Sequence, residues 1–439
     1  MLQLFKDRNF FTYWIGEFIS VIGDHISMVA FPLLVLQMTG SVAMTGMVFA
    51  AQGLPRAILM LFGGAVVDRT SPRMVMLLTN LVRFLLVMLV AYLLYIDAIN
   101  IPLVFTLAFL FGVADAFFYP ANTAMVPSMV SKEKLKEANA LVQGSIWIGV
   151  IVGPALAGLI IAQDITVLGH DVGQVAATYE SNRLGFARAF FLDGLTFAAS
   201  FMTLVFVRTR KLNSDAELGG EPGATAGNSM LGEVRQAIRW VWSQPTLRLG
   251  FLGVAGLEFF FQTPIFVGLP ALAKARFIEP AYVFGLMITA YGCGALLGVS
   301  AAGYLREMKE RTLVRIMFFA FMISGASFGL IVLYEPYWWA MTLFFLSGAG
   351  DSFVWVNFTT WVQKQTPEKF LGRVMSILTF MSVGLIPVAS LILGWAFEWN
   401  LELSLMMVSC ILVVGCVVAA LHPDAIYRGP PKNVEPETM

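Results

Sequence analysis

The stretch Ile101-Pro-Leu-Val-Phe-Thr-Leu-Ala-Phe-Leu-Phe-Gly-Val-Ala-Asp115-Ala-Phe-Phe-Tyr-Pro-Ala-Asn122-Thr-Ala124 holds a single charged residue, Asp115. At 1.5 Å per residue, about 20 apolar residues in a helix cross the ~30 Å hydrocarbon core of a bilayer, so this run is long enough to span it. The polar signature of the run returns later in the chain. Asp115-Ala-Phe117, Asn122 and Ser131-Lys-Glu-Lys-Leu135 are echoed by Asp351-Ser-Phe353, Asn357 and Thr366-Pro-Glu-Lys-Phe370, at an offset of about 235 residues. A span and its following loop that recur half a chain later imply two like halves. Paired halves with a substrate site between them are a common plan for secondary transporters.

The rest of the sequence fits that reading. Of its 439 residues, 58% are hydrophobic and 13% charged, and the mean hydropathy is +0.78, more apolar surface than a soluble domain can bury. Apolar runs recur at 11–36, 43–66, 73–95, 101–124, 138–162, 187–207, 246–272, 281–304, 312–333, 337–361, 371–396 and 401–421. The expected fold is therefore an all-α membrane protein, with twelve transmembrane helices in two pseudo-symmetric six-helix halves. Zero formal net charge leaves no electrostatic footprint for nucleic acid. Cys293, Cys410 and Cys416 lie in apolar runs and read as packing residues. The opening, Met1 to Asn9, leads into a run that contains Glu17, Asp24 and His25 and lacks a cleavage site, so the first helix is expected to be retained.

Alternate loops differ sharply in basic residues. One set holds 22 of the 28 Lys and Arg, and the other only Arg183, Arg188, Lys274 and Arg276. The positive-inside rule then places both termini in the cytoplasm of a multi-pass protein of a bacterial plasma or inner membrane. The domain reading is an N-terminal half over 1–207, a cytoplasmic linker over 208–245, a C-terminal half over 246–421 and a tail over 422–439. The linker has a Gly-rich stretch from Leu218 to Gly227. Its last part, Leu231 to Trp242, places Leu231, Val234, Ile238 and Val241 on one face. That pattern suits an amphipathic surface helix or a plain connector.

Short motifs narrow the family. Gly64-Ala-Val-Val-Asp68-Arg69-Thr-Ser71-Pro72-Arg73 resembles the Gly-x-x-x-Asp-Arg-x-Gly-Arg-Lys loop of the major facilitator superfamily, with Ser71 for the second glycine and Pro72 for a basic residue. Gly144, Gly149, Gly153-Pro154 and Gly158 resemble the glycine-proline signature of the superfamily's antiporters. Asn9-Phe10, Trp14-Ile-Gly16, Gly23-Asp24, Pro32-Leu-Leu and Thr39-Gly-Ser41 are similar to the drug:proton antiporter subgroup that includes macrolide and enterobactin exporters. The resemblance implies a cytoplasmic gate at Gly64, Asp68, Arg69 and Arg73. It also implies a central cavity lined by spans 1, 4, 7 and 10. In physical terms, Gly149, Gly153 and Gly158 allow close helix approach, and Pro154 frees a carbonyl.

An ionisable side chain at the bilayer centre costs ~2.5–3.5 kcal/mol on the insertion scale and is a functional candidate by default. Asp24, Asp115, Glu258 and Asp351 fall one on each of spans 1, 4, 7 and 10, and are the candidates for proton coupling. Asp24 sits about 13 residues into span 1, roughly 20 Å deep, and Glu258 lies at a similar depth in span 7. Packing or gating roles remain open for Asp24, Asp115 and Asp351. Arg56, Glu258, Phe260, Gln262 and Trp355 are the candidates for the substrate cavity, where Glu258 and its aromatic neighbours suit a cationic amphiphile. Arg83 and Asp193 read as snorkelling residues nearer span ends.

Gly325-Ala-Ser327-Phe-Gly329 matches a nucleophile elbow but lies in an apolar span with no preceding strand. No phosphate-binding Gly-x-x-x-x-Gly-Lys-[Ser/Thr] occurs. Asp24-His25 points in two directions, about 100° apart, which disfavours a metal site. The sequence thus suggests no enzyme, no cofactor and no metal. The expectation is a monomeric, proton-driven exporter of an amphiphilic drug-like compound or siderophore, surrounded by membrane lipid. A lipid or lysophospholipid flippase of the same fold is the alternative, and a metal-ion exporter the more remote one.

Overall fold

The computed structural model describes residues 4–131, 134–162, 179–209, 230–304 and 310–421. Six long helices come first: α1 (Arg8–Thr39), α2 (Val42–Arg69), α3 (Pro72–Tyr95), α4 (Ile101–Met129), α5 (Leu135–Ile161) and α6 (Tyr179–Phe206). A short helix α7 (Met230–Ser243) precedes α8 (Pro245–Leu257), a π-helical turn (Glu258–Gln262) and α9 (Thr263–Arg276), which together form one long rod. Then come α10 (Pro280–Tyr304), α11 (Glu310–Leu333), α12 (Tyr337–Gln365), α13 (Glu368–Trp399) and α14 (Leu401–Leu421). Each expected span lies on one of these rods, and most rods run a few residues beyond it. The Gly-rich part of the linker and the tail from 422 lie outside the described residues.

Local chemistry sets the helix boundaries. Asp7 caps α1 by accepting from the amides of Asn9 and Phe10 at 3.0 and 3.3 Å, and Ser41, Ser71 and Asn100 cap α2, α3 and α4 through Met44, Met74 and Leu103. Pro72 and Pro245 open α3 and α8, where a missing N–H costs nothing. Gly40, at φ +69°, ends α1 in a left-handed turn whose N–H reaches the carbonyl of Leu36.

Eleven of the rods are long and apolar enough to cross a membrane by composition alone. The remaining one, α12, is 29 residues long, but its Tyr337-Trp338-Trp339 start, Asp351, Asn357 and Lys364 dilute its hydropathy. It packs against α10 and α11 as part of the bundle.

The sorting of side chains is clearest on α3. Met74, Leu78, Leu81, Leu85, Leu89 and Tyr92 form an exposed stripe, whereas Met76, Asn80, Arg83, Val87, Val90 and Leu94 are buried. Both series advance in steps of three and four, so one face meets lipid and the other meets protein. Helix pairing repeats between the halves: α2 with α4 as α10 with α12, and α3 with α6 as α11 with α14.

The halves meet along α2–α13 and α5–α10. Their polar contacts gather toward the end that carries the 39–42 and 399–401 turns. There one carboxylate oxygen of Glu398, on α13, accepts from Ser41 Oγ at 3.0 Å and from the amides of Val42 and Ala43 at 2.6 and 3.2 Å. Lys274 Nζ donates to the Leu36 carbonyl at 2.9 Å, and Thr289 Oγ1 to the Ile151 carbonyl at 3.0 Å. Helix α7 packs beside α8 and α13, with Val241 buried and Ile238 and Trp242 exposed.

Candidate functional site: a polar cavity in the first half

A cavity of about 380 Å³ lies among α1, α2, α3 and α4, and is closed on the side of the second half by Phe266, Ile386 and Pro387. Phe49 and Phe266, with ring centres 5.9 Å apart, meet at the seam between the halves. Aromatic side chains, among them Phe31, Phe111, Phe118, Tyr119 and Phe190, form much of its wall, and its charged lining is Glu17, Asp24, Arg56, Arg83 and Asp115.

Arg83 organises these charges. Its Nη2 donates to Asp24 Oδ1 at 2.6 Å, and its Nε lies 3.2 Å from Asp115 Oδ1. The guanidinium carbon sits 4.3, 4.4 and 5.1 Å from the ring centres of Phe197, Phe118 and Phe111, so rings cover what the acids leave open. Asp193 on α6 is fully buried and accepts from the hydroxyl of Ser27. The expectation that Arg83 and Asp193 snorkel is therefore wrong. Each lies near the midpoint of its helix, too far from either end for its side chain to reach water, and each is held by partners inside the bundle instead.

Three of the expected residues, Asp24, Asp115 and Arg56, line the cavity together. Arg56 Nη1 lies 4.0 Å from Asp115 Oδ2, and its guanidinium stands 5.8 Å from the ring centre of Tyr119. Glu258, Phe260, Gln262 and Trp355 are not among the described residues that line this cavity. The π turn directs Gln262 toward α10, where its Nε2 donates to Tyr291 Oη at 2.9 Å. Tyr291 Oη in turn lies 3.4 Å from Asp351 Oδ2, and Ser324 Oγ donates to Asp351 Oδ1 at 2.7 Å. Phe260 packs on Phe259 against the core, and Trp355 is 40% exposed.

Of the expected gate residues, Gly64 and the side chain of Asp68 lie outside the described residues, and Arg69 is exposed at the end of α2. Arg73 donates from Nε and Nη2 to the carbonyls of Leu204 and Val205 at 2.9 and 2.6 Å, which places a cation on the C-terminus of α6 in its own half.

The glycines of α5 sit where a helix crosses. A Cβ on Gly149 would meet Val21 and His25, and one on Gly153 would meet His25 and the Ile22 carbonyl. On the other side, Gly158 faces Tyr282 and the Pro154 carbonyl lies against Gly285. This helix is therefore held between α1 and α10. Ser327 of the elbow-like motif is buried in α11 and donates to the Ser324 carbonyl at 2.6 Å, a helix-packing role.

Glu17 is the residue that sequence reasoning missed. It is 6% exposed, and its Oε1 accepts from Asn122 Nδ2 at 3.0 Å while Tyr13 donates to Asn122 Oδ1 at 2.6 Å. Its Oε2 has no hydrogen-bond partner among the described residues. The available signal was spacing: Glu17 and Asp24 are two helical turns apart and share a face.

Among curated proteins, the chain is 24% identical over 382 residues to the multidrug efflux pump Tap of Mycolicibacterium fortuitum, covering 85% of each. It is 26% identical over 395 residues to the enterobactin exporter EntS of Citrobacter koseri, covering 87% of this chain and 84% of that one. Among solved structures, a POT family transporter superposes with a TM-score of 0.72 at 10% identity over 96% of this chain and 97% of its own. A bacterial homologue of the iron transporter ferroportin, in an inward-facing state, gives 0.65 at 16% identity over 94% and 99%. These structures share the fold. The family model described as Major Facilitator Superfamily matches residues 13–391, most of the chain, and the protein is a multi-pass membrane transporter that belongs to that superfamily.

Proposed function

We propose that this transporter is a secondary active exporter of amphiphilic small molecules, driven by protons through alternating access. The observation that carries the proposal is the Asp24–Arg83–Asp115 network set in an aromatic-walled cavity. Two carboxylates share one guanidinium there, so a proton added to either acid changes which one Arg83 holds. A charge rearrangement at the cavity wall is what links proton binding to substrate binding. The aromatic wall suits an apolar body, and relatives named as an efflux pump and an exporter support the outward direction. Glu258 and Asp351 form a second candidate pair for the proton.

With both termini cytoplasmic, as the basic loops indicate, the end sealed by Glu398, Lys274 and Thr289 faces the periplasm, and the cavity belongs to an inward-facing state. A cysteine at Ser214 that an impermeant thiol reagent labels in intact cells would refute that orientation. Proton entry yields ~2.3 kcal/mol per charge per 100 mV, enough for concentrative efflux.

The test is dye transport in proteoliposomes under an imposed proton gradient. The wild type should accumulate an amphiphilic dye uphill. Asp24→Asn, which mimics the protonated acid, should lose uphill accumulation and keep downhill exchange. Uphill transport by that variant at the wild-type rate would remove Asp24 as the carrier, and wild-type transport indifferent to the gradient would remove proton coupling.

A further inference from the structure

Five buried side-chain atoms of the cavity lining have no hydrogen-bond partner among the described residues: Nε and Nη1 of Arg83, Oδ1 of Asp115, Nε of Arg56 and Oε2 of Glu17. The first three belong to the side chains of the close Arg83–Asp115 ion pair, which leaves Nε of Arg56 and Oε2 of Glu17 outside it. One is a cationic donor and the other a carboxylate acceptor, and both side chains line the same space. Leaving such groups unsatisfied is costly in a low-dielectric interior. Pairs of this kind persist in binding sites because a ligand completes them.

The two guanidiniums of the cavity are not equivalent. Arg83 is wedged between Asp24 and Asp115 beneath three aromatic rings, and only 3% of its side chain is exposed. Among the described residues Arg56 has one distant acidic neighbour, Asp115 at 4.0 Å, beyond hydrogen-bond length, and 19% of its side chain is accessible. The nearer partner of Asp115 is Arg83, at 3.2 Å. Arg56 is thus the cation that a ligand can reach, and it has a planar donor fork suited to a carboxylate or similar acid. Tyr119 lies beside it to take an aromatic or aliphatic body.

Resting on the exporter reading, we infer that the substrates are amphiphiles that carry an acidic group, docked on Arg56, and a hydrogen-bond donor such as a hydroxyl or amine, docked on Glu17. This reverses the expectation of a simple cationic amphiphile held by Glu258, which stands outside the cavity lining.

The experiment uses the purified full-length transporter in detergent and a rhodamine with a free carboxylate and amino groups, compared with its methyl ester. Fluorescence polarisation should show the free acid binding at least tenfold more tightly than the ester to the wild type. Arg56→Gln should abolish that preference, bringing acid and ester to similar affinity, and Arg56→Lys should retain part of it. Glu17→Gln should weaken both dyes. A thermal-unfolding scan of each variant separates loss of binding from loss of fold, and the wild-type dye pair tests the inference even if a variant unfolds. Equal or stronger ester binding by the wild type, binding of neither dye, or a preference that survives in Arg56→Gln would overturn it. Binding preference is read without a gradient, so the exporter reading can fail in proteoliposomes while this inference stands, and the reverse.

Discussion

The two halves use the same helix pairing but treat buried charge differently. In the first half, Asp24 and Asp115 are compensated by Arg83 and, at longer range, Arg56. In the second, Asp351 is held by the neutral groups of Ser324 and Tyr291, and Glu258 begins a π turn. Neither of these acids forms an ion pair among the described residues. A half built on opposed charges has several pairings of similar quality available to it. A half built on neutral hydrogen bonds has one preferred arrangement, a stable frame against which the first can rearrange.

Stability should show the largest difference. Arg83→Met leaves buried Asp115 and half-buried Asp24 without their cation, and removing one partner from a buried pair costs about 3–5 kcal/mol. Asp351→Asn keeps a group that can bond to Ser324 and Tyr291, for a loss of about 1 kcal/mol. Thermal unfolding in detergent checks the contrast, and equal shifts for the two variants would erase it.

A smaller effect is expected on function. Glu258→Gln should leave dye affinity within about twofold of wild type, because Glu258 does not line the cavity, a difference of no more than about 0.4 kcal/mol. Any loss should appear in gradient-driven transport instead. A tenfold loss of dye affinity measured by polarisation would mean that the second half contributes directly to the binding site.

An effect between these two is expected at one of the contacts that join the halves. Glu398 caps the N-terminus of α2 from across the seam, an exposed charge–dipole interaction. Glu398→Gln should weaken the closed end and shift the conformational equilibrium by roughly two- to fivefold. In a Phe49→Cys background, thiol labelling from the sealed side should accelerate accordingly, and an unchanged rate would show that Glu398 only trims the helix end.

Much of this architecture is legible in the sequence because length, apolarity and repetition are properties of single segments. The span pattern, the Asp115/Asp351 echo and the depth of Asp24 each follow from counting. What counting along one helix cannot supply is rotation and partnership. Arg83 looks like a stray cation until α3 is seen to turn Asn80 and Arg83 inward while Leu78 and Leu85 face lipid. Asp24 looks like an unpaired acid until α1 and α3 are brought together. Depth arithmetic applied to Arg83 would have placed it mid-membrane and marked it as needing a partner, and the two-turn spacing of Glu17 and Asp24 would have marked Glu17. The turning of Gln262 toward Tyr291 was not available in this way, because the π turn that ends at Gln262 shifts the facing of the residues along it.

The crossing of α5 with α10 has a consequence for how temperature acts on the transport cycle. Where Gly285 lies against the Pro154 carbonyl and Gly158 against the Tyr282 backbone, backbone bears on backbone and few rotatable side chains become fixed or released as the surfaces part. Side-chain ordering costs up to ~1.5–2 kcal/mol for each long residue, and this part of the seam largely avoids it. The crossing therefore works as a bearing, with its opening governed mainly by the enthalpy of lost close contact, and the balance between open and closed ends should respond to temperature more through heat than through disorder.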